Sequence, residues 1–147
     1  MTHITASIEI DRPTDEVFAY LADMSNNPSW QKGQQECVWT SEPPTRLGST
    51  YDQSARFLGK EIRSSFEVVE YEPGSLIRIT STSGTMPIDV TREVKPLPDG
   101  GSVVSATVVG EPPGLMRLLG PLLDRMVQAS VRKDYERLKA ILEGPTL

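Results

Sequence analysis

The 147-residue sequence predicts an α+β fold, in which a bent antiparallel sheet wraps around one long C-terminal helix. Apolar and polar residues alternate with period two in the first ten residues and again between residues 35 and 110. Two short helical patterns separate these stretches, and the long apolar-faced helix pattern comes last. One helix is too narrow to fill the concave face of so wide a sheet, so we expect a cavity between the two layers. We expect one domain covering residues 1–147.

The first strand and the two short helices have separate signatures. Residues 12–16 begin a helix, because a proline and two acidic side chains favour its first turn. That helix has a single apolar stripe, formed by Val17, Phe18 and Leu21, and the residues 26–28 keep the second helix short. In the strand before them, apolar residues occupy alternate positions: Ile4, Ala6, Ile8 and Ile10.

Residues 49–68 predict a β-hairpin that turns at Leu58-Gly59. In this register the opposite charges of Arg56 and Glu61 meet on a uniformly polar face, which favours the pairing. The other face must then be the concave one. It carries three cross-strand pairs: Tyr51 with Phe66, Gln53 with Ser64, and Ala55 with Ile62.

The next turn, at residues 72–75, extends the concave face over three more strands. It places Ile79 beside Val68 and Ser81 beside Phe66. The inward positions of the two last strands are Met86, Ile88, Val90, Arg92 and Val94, followed by Val104, Ala106 and Val108.

The last helix pattern runs from Pro113 to Glu143, and Gly120-Pro121 is expected to interrupt it. Its apolar residues are predicted to share one broad side that faces the sheet: Leu115, Leu118, Leu119, Leu122, Leu123, Met126, Val127, Val131, Leu138 and Ile141.

Composition excludes several classes of function. The net charge of −5, without a run of Lys or Arg, argues against nucleic acid as a partner. No stretch approaches the roughly 20 apolar residues of a membrane span, and the first ten residues lack the apolar core of a signal peptide, so we expect a cytoplasmic protein without stable membrane insertion. One cysteine and one histidine predict neither a disulfide framework nor a metal site. No glycine loop of the phosphate- or dinucleotide-binding type occurs, and we expect no cofactor.

Several short stretches carry a resemblance to a known family: residues 8–13, 16–18, 21–23 with Trp30, 48–50, 57–60, 67–73 and 138–143. In these stretches the sequence resembles the START-like (SRPBCC) superfamily, in the branch named after polyketide cyclases and dehydrases. The resemblance covers essentially the whole chain and implies the helix-grip fold, with a pocket between the bent sheet and the C-terminal helix. Members include lipid carriers, aromatase/cyclases, hormone receptors and hydrolases, so the resemblance implies a pocket rather than one activity. Relatives often have an aromatic residue at the position of Arg92.

Arg92 is predicted to point inward, because it lies between Val90 and Val94 in the period-two pattern. An inward arginine requires an anion or a route to water, since an unpaired buried charge costs several kcal/mol. Asp134 is the candidate partner, on the apolar side of the long helix. One interpretation is a structural ion pair or an arginine whose head reaches solvent. The other is that Arg92 orients a carboxylate or phenolate of a ligand.

The predicted cavity combines apolar walls with a few placed polar groups, as small-molecule pockets do. Gln53, Ser64 and Ser81 are the neutral polar members, and ordered water is the alternative partner for them. The candidate ligand-binding residues are Tyr51, Gln53, Phe57, Ser64, Phe66, Ile79, Ser81, Met86, Ile88, Arg92, Leu119, Leu123 and Met126.

The leading hypothesis is a pocket protein, monomer or homodimer, that binds a small, largely apolar molecule of lipid-like, polyketide-like or aromatic character. His3 lies near the chain start and Cys37 fits a small buried residue, so no nucleophile system is predicted. The first alternative is a metal-free cyclase/aromatase-type lyase, in which Arg92 polarises a carbonyl and Asp134 transfers a proton. The second is a non-catalytic interaction module of a lipid or quinone system.

Overall fold

The computed structural model describes residues 2–57, 59–84, 87–110 and 120–144, with the side chains of Thr2, Phe57 and Leu123 left out. Within these ranges, seven antiparallel strands form one sheet in the order β1-β7-β6-β5-β4-β3-β2. The strands are β1 (Thr2–Ile10), β2 (Gln34–Trp39), β3 (Thr50–Phe57), β4 (Lys60–Glu72), β5 (Leu76–Gly84), β6 (Ile88–Pro96) and β7 (Ser102–Gly110). The helices are α1 (Thr14–Leu21), α2 (Asn27–Trp30) and α3 (Gly120–Glu143), with a 3₁₀ turn at Met24–Asn26 before α2.

The predicted hairpin register is confirmed. Tyr51 pairs with Phe66, and Arg56 pairs with Glu61, and the ladder continues to Phe57 opposite Lys60; the predicted turn residue Leu58 lies outside the described residues. The register predicted for β4 and β5 is also confirmed, with Ile79 beside Val68 and Ser81 beside Phe66. Irregularities at residues 65–66 and 68–70 of β4 interrupt its ladder with β5, and such bulges bend and twist a strand. The curvature that the cavity requires is thus built into the longest strand.

Helix α1 closes one end of the concave face. Its apolar stripe is buried, and the ring of Phe18 lies 5.8 Å from that of Tyr71 on β4. Asp23 then caps the 3₁₀ turn by accepting a hydrogen bond from the backbone N–H of Ser25 at 3.1 Å. The same carboxylate accepts a 3.0 Å bond from Trp39 Nε1, which ties the turn to β2. Burial acts to raise the pKa of Asp23, but the bonds from Ser25 and Trp39 outweigh it and lower that pKa.

Helix α3 packs on the sheet along a narrower line than predicted. Tyr135 and Leu138 are buried, whereas Leu122, Met126 and Ile141 are 59%, 42% and 40% exposed. The broad apolar side predicted for this helix is therefore wrong for these three residues. The physical reason is the spacing of the line that contacts the core, at positions 131, 135, 138 and 142, which turns the other apolar positions outward.

The described part of α3 begins at Gly120 and runs unbroken to Glu143, with Pro121 in its first turn, where the missing N–H costs nothing. The predicted helical residues 113–119 lie outside the described residues. In the parts of the chain that the structure describes, no helix is long and apolar enough to cross a membrane.

The C-terminal end of α3 is fixed to the connection between β1 and α1. Arg12 donates from Nε to the carbonyl of Leu142 at 3.0 Å and from Nη2 to that of Glu143 at 2.9 Å. These bonds satisfy carbonyls that a helix end leaves without partners. The Glu143 carboxylate accepts a 2.9 Å bond from the backbone N–H of Asp11 and one of 2.6 Å from Lys139.

Candidate functional site

A cavity of about 160 Å³ lies between the concave face of the sheet and the helices α2 and α3. Eight elements and the α2–β2 connection contribute described residues to its wall. The described residues that line it are Asn27, Trp30, Gln31, Gln34, Tyr51, Gln53, Phe66, Ile79, Ile88, Val90, Arg92, Val108, Val131, Asp134 and Tyr135.

Two wider depressions differ from this cavity in chemistry. One, of about 390 Å³, is lined mostly by charged and hydroxyl side chains of strands β2 to β5, among them Asp52 and Ser65. The other, of about 370 Å³, lies between β1 and α3 beside Gln128 and Arg132. Both are lined largely by polar residues, as solvent-facing grooves are. The smaller cavity has the apolar wall of a binding pocket.

The apolar wall is built from aromatic pairs on neighbouring strands. Tyr51 and Phe66, directly opposite each other on β3 and β4, stack with their ring centroids 5.1 Å apart. Trp39 packs edge-on against Tyr51 at 5.5 Å. Across the cavity, Trp30 of α2 meets Tyr135 of α3 edge-on at 4.9 Å. These rings are fixed by their neighbours, so the wall keeps its shape without a ligand.

Arg92 is buried in this wall, at 5% exposure, and the prediction that it points inward is confirmed. Its Nη1 lies 3.2 Å from the carbonyl oxygen of Leu21 and 3.5 Å from Asn27 Oδ1. The guanidinium carbon lies 4.9 Å above the ring of Trp30, a cation–π contact. The charge therefore links β6 to the short helices that close the end of the sheet.

The candidate pairing of Arg92 with Asp134, one of the alternatives left open by the sequence, does not form. Asp134 lines the same cavity, but its carboxylate binds Arg137 Nη1 at 3.1 Å and accepts the backbone N–H of Lys32 at 3.1 Å. Arg137 lies one helical turn further along α3, so it reaches this carboxylate with little loss of side-chain freedom. Burial raises the pKa of Asp134, against the opposing effect of these two partners. Arg92 does not reach solvent either, so neither structural interpretation accounts for its charge.

Four buried polar side-chain atoms in the described residues have no hydrogen-bond partner. They are Trp30 Nε1, Gln31 Nε2, Gln34 Oε1 and Arg92 Nε, and all four residues line the cavity. Native structures leave few such atoms, because each costs about 1–3 kcal/mol. Their concentration around one cavity indicates that the hydrogen-bond partners of these atoms come from outside the described residues.

The structure brings together six of the predicted site residues at the cavity: Tyr51, Gln53, Phe66, Ile79, Ile88 and Arg92. Met86 and Leu119 lie outside the described residues, and the same is true of the side chains of Phe57 and Leu123.

The three remaining predicted residues do not line this cavity. Ser81 uses its hydroxyl to accept the backbone N–H of Ile88 at 2.9 Å. Ser64 lies against Gly84, where an added Cβ would come within 2.6 Å of its hydroxyl oxygen. Met126 is 42% exposed, because it lies on the outward side of α3.

Sequence analysis missed several residues of the wall. Tyr135 lies four residues after Val131 and three before Leu138, so the helical spacing contained its signal. Asn27, Gln31 and Gln34 come from α2, the connection after it and the start of β2, where no periodicity shows which way a side chain points.

Side chains with catalytic chemistry are sparse around the cavity. Burial raises the pKa of Cys37 to about 12, so this residue stays a neutral thiol near pH 7 and is a poor nucleophile. Burial also raises the pKa values of Tyr51 and Tyr135. His3 is exposed on β1. In the residues described here, no group of three or more His, Cys, Asp or Glu side chains could hold a metal ion.

A curled antiparallel sheet that holds a C-terminal helix over an interior cavity defines the helix-grip class, and comparison with solved structures agrees. A Thermus thermophilus protein superposes with a TM-score of 0.82 at 19% identity, over 95% of this chain and 96% of the other. A START superfamily protein from Mycobacterium smegmatis gives 0.79 at 11% identity, over 97% and 98%. The Zhui aromatase/cyclase from Streptomyces gives 0.71 at 13%, over 96% and 93%. At these identities the likeness establishes the fold alone.

The family follows from the sequence itself. The family model described as polyketide cyclase / dehydrase and lipid transport matches residues 1–143, so the chain belongs to that family. The comparison with curated proteins found no match.

Proposed function

We propose that this protein binds one small, largely apolar molecule in the cavity between the sheet and the helices α2 and α3. The observation that carries the proposal is the cavity itself, of about 160 Å³, with an aromatic and aliphatic wall and a few polar groups. Burial of the ligand supplies affinity at about 25 cal/mol per Å² of apolar surface. Membership of a family that includes lipid transport supports the same proposal.

The volume of the cavity selects among the ligand classes. Drug-sized ligands occupy pockets of about 300–1,000 Å³, whereas an apolar cavity of about 150 Å³ admits a single benzene ring. A cavity of about 160 Å³ therefore fits one aromatic ring with a small substituent. Of the three predicted classes, an aromatic molecule fits better than a lipid chain or an extended polyketide.

The test compares ligand retention by the wild-type protein with retention by a variant whose cavity is filled by a larger side chain. Native mass spectrometry of the protein purified from its own host should show a bound small molecule, and toluene should raise the Tm of ligand-free protein. Val108→Phe places a ring in the cavity and should abolish both effects. The matched control is Val109→Phe on the opposite face of the same strand, since Val109 is not among the residues lining the cavity. Retention unchanged in Val108→Phe, or no retained molecule together with no response to toluene, would refute the proposal.

One observation favours a metal-free cyclase/aromatase-type lyase as a second candidate. Asp134 lines the cavity, and burial raises its pKa above that of an ordinary aspartate, the direction expected of a carboxyl group that gives or takes a proton. The cavity volume limits such a substrate to about one ring. Asp134→Asn should then keep the bound molecule but stop its conversion, as followed by mass spectrometry of the retained species over time. A molecule that wild-type protein leaves unchanged would support binding alone.

A further inference from the structure

Arg92 is a buried cation whose partners among the described residues are all neutral. They are a backbone carbonyl, the amide oxygen of Asn27, the sulfur of Met24 at 3.6 Å, the hydroxyl of Tyr135, and the face of Trp30. A buried charge without a counter-ion costs several kcal/mol, and a cation–π contact and neutral dipoles offset only part of that cost. The site therefore favours an anion from outside the described residues.

The two nearby carboxylates do not supply this anion. Asp134 shares the cavity but binds Arg137 and the N–H of Lys32. Asp23 is occupied by Ser25 and by the indole N–H of Trp39. Neither carboxylate makes a hydrogen bond or an ion pair with Arg92 in the parts of the chain that are described.

The unpaired polar atoms agree with an anionic group. Three of the four are donors, on Trp30, Gln31 and Arg92, and a single acceptor belongs to Gln34. A surplus of hydrogen-bond donors around a buried cation is the environment that stabilises a carboxylate, because a carboxylate accepts several hydrogen bonds and donates none. Water could satisfy single donors but would leave the charge of Arg92 without a counter-ion.

We infer that the ligand is a small aromatic carboxylate, whose anionic group lies against Arg92 and whose ring packs on the apolar wall formed by Tyr51, Phe66 and Ile79. The inference rests on the proposed function and adds the charge of the ligand. One ring with one carboxylate is also what a cavity of about 160 Å³ accommodates.

The test compares three probes of similar size on ligand-free protein: benzoate, its neutral amide benzamide, and toluene. Calorimetry at constant ionic strength should give a Kd for benzoate at least tenfold lower than for benzamide. This comparison uses the unaltered protein, so it does not depend on the folding of any variant.

Arg92→Met should then remove the preference, with benzoate losing at least tenfold more in affinity than toluene does. Arg92→Lys retains the charge and should retain part of the preference. The control is Arg78→Met, because Arg78 on β5 binds Asp89 and does not line the cavity. Circular dichroism shows whether each variant is folded.

The outcomes separate this inference from the function on which it rests. Equal affinity for benzoate and benzamide overturns the anionic ligand but leaves binding of an apolar molecule intact. Binding of toluene without binding of benzoate or benzamide also overturns the anionic ligand and leaves binding of an apolar molecule intact. Failure of all three probes overturns both. A benzoate preference that survives in folded Arg92→Met overturns the role of Arg92.

Discussion

The two halves of α3 have the same kind of sequence but different surroundings. In the C-terminal half Tyr135 and Leu138 are buried, Arg12 binds the end of the helix to the β1–α1 connection, and Lys139 donates to the carbonyl of Glu9 in β1. In the N-terminal half Leu122 and Met126 are exposed, and Gln128 donates a 2.7 Å bond to the carbonyl of Thr5. The difference shows that an apolar helix residue stabilises this fold only where the sheet meets it.

The cavity lies at the junction of the two halves. The part of its wall that α3 contributes is made of Val131, Asp134 and Tyr135, between the exposed first turns and the buried last ones. Stability should therefore depend on the C-terminal half, and ligand binding on the junction. Substitutions in each region can separate the two properties.

The largest effect is expected at Leu138, which is fully buried. Leu138→Ala removes apolar burial and leaves a cavity, so it should lower the free energy of unfolding by about 2–5 kcal/mol. Leu122→Ala makes the same change on the exposed half of the same helix and should alter it by less than about 0.5 kcal/mol. Urea unfolding measures both. Equal losses at the two positions would contradict the division of α3.

A smaller loss is expected where the helix end is fixed. Arg12→Ala removes two charge-assisted bonds to the carbonyls of Leu142 and Glu143, and it should cost about 1–2 kcal/mol in unfolding free energy. Lys133→Ala, at an exposed position of the same helix, serves as the control. Amide hydrogen exchange in residues 138–143 should accelerate in Arg12→Ala and not in the control. Exchange that is unchanged would show that packing alone holds this end.

The β3–β4 hairpin was predictable to the residue because its signals are local and redundant. Period-two alternation fixed the face of each side chain, and the Arg56–Glu61 pair fixed the register of the hairpin. The inward position of Arg92 followed from the same rule. Gln31 and Gln34 were not predictable, because the residues around them have no periodicity to orient them.

The helix was predictable in its existence but not in its rotation about its own axis. The Leu and Met residues of its N-terminal half suggested a face toward the sheet, and Tyr135 was overlooked beside them. Only the packed structure shows which line of residues meets the sheet. Asp134 was a candidate partner for Arg92 for the same reason. Its position on the cavity side of the helix could be inferred from the sequence, but the cation that its carboxylate binds could not.

The third effect is a pH dependence at the fixed end of α3. The hydrogen bond from Lys139 and that from the N–H of Asp11 lower the pKa of Glu143 below its usual 4.5. A depressed carboxylate pKa contributes stability that is present above the unfolded value and is lost as pH falls through the folded one. Glu143→Gln should therefore cost about 0.5–1 kcal/mol at pH 7, and the difference from wild type should shrink below pH 4.5. Thermal unfolding between pH 3 and pH 7 measures it. A difference that is constant with pH would mean that the charge of Glu143 contributes nothing.

The smallest effect is expected at the junction, and its pH dependence has the opposite sign. Burial raises the pKa of Asp134 above 3.8, against the bonds from Lys32 and Arg137, so the folded protein holds this proton more tightly than the unfolded chain does. The stability that wild type has relative to Asp134→Asn should therefore fall as pH rises from 3.8 through the folded pKa, and should level off above it. Because Asn keeps an acceptor for both donors, the change at pH 7 should stay within about 1 kcal/mol. The variant should also leave the benzoate preference intact, since Asp134 pairs with Arg137 and not with Arg92. A stability difference that grows with pH, or a lost preference, would instead place Asp134 in direct electrostatic contact with Arg92.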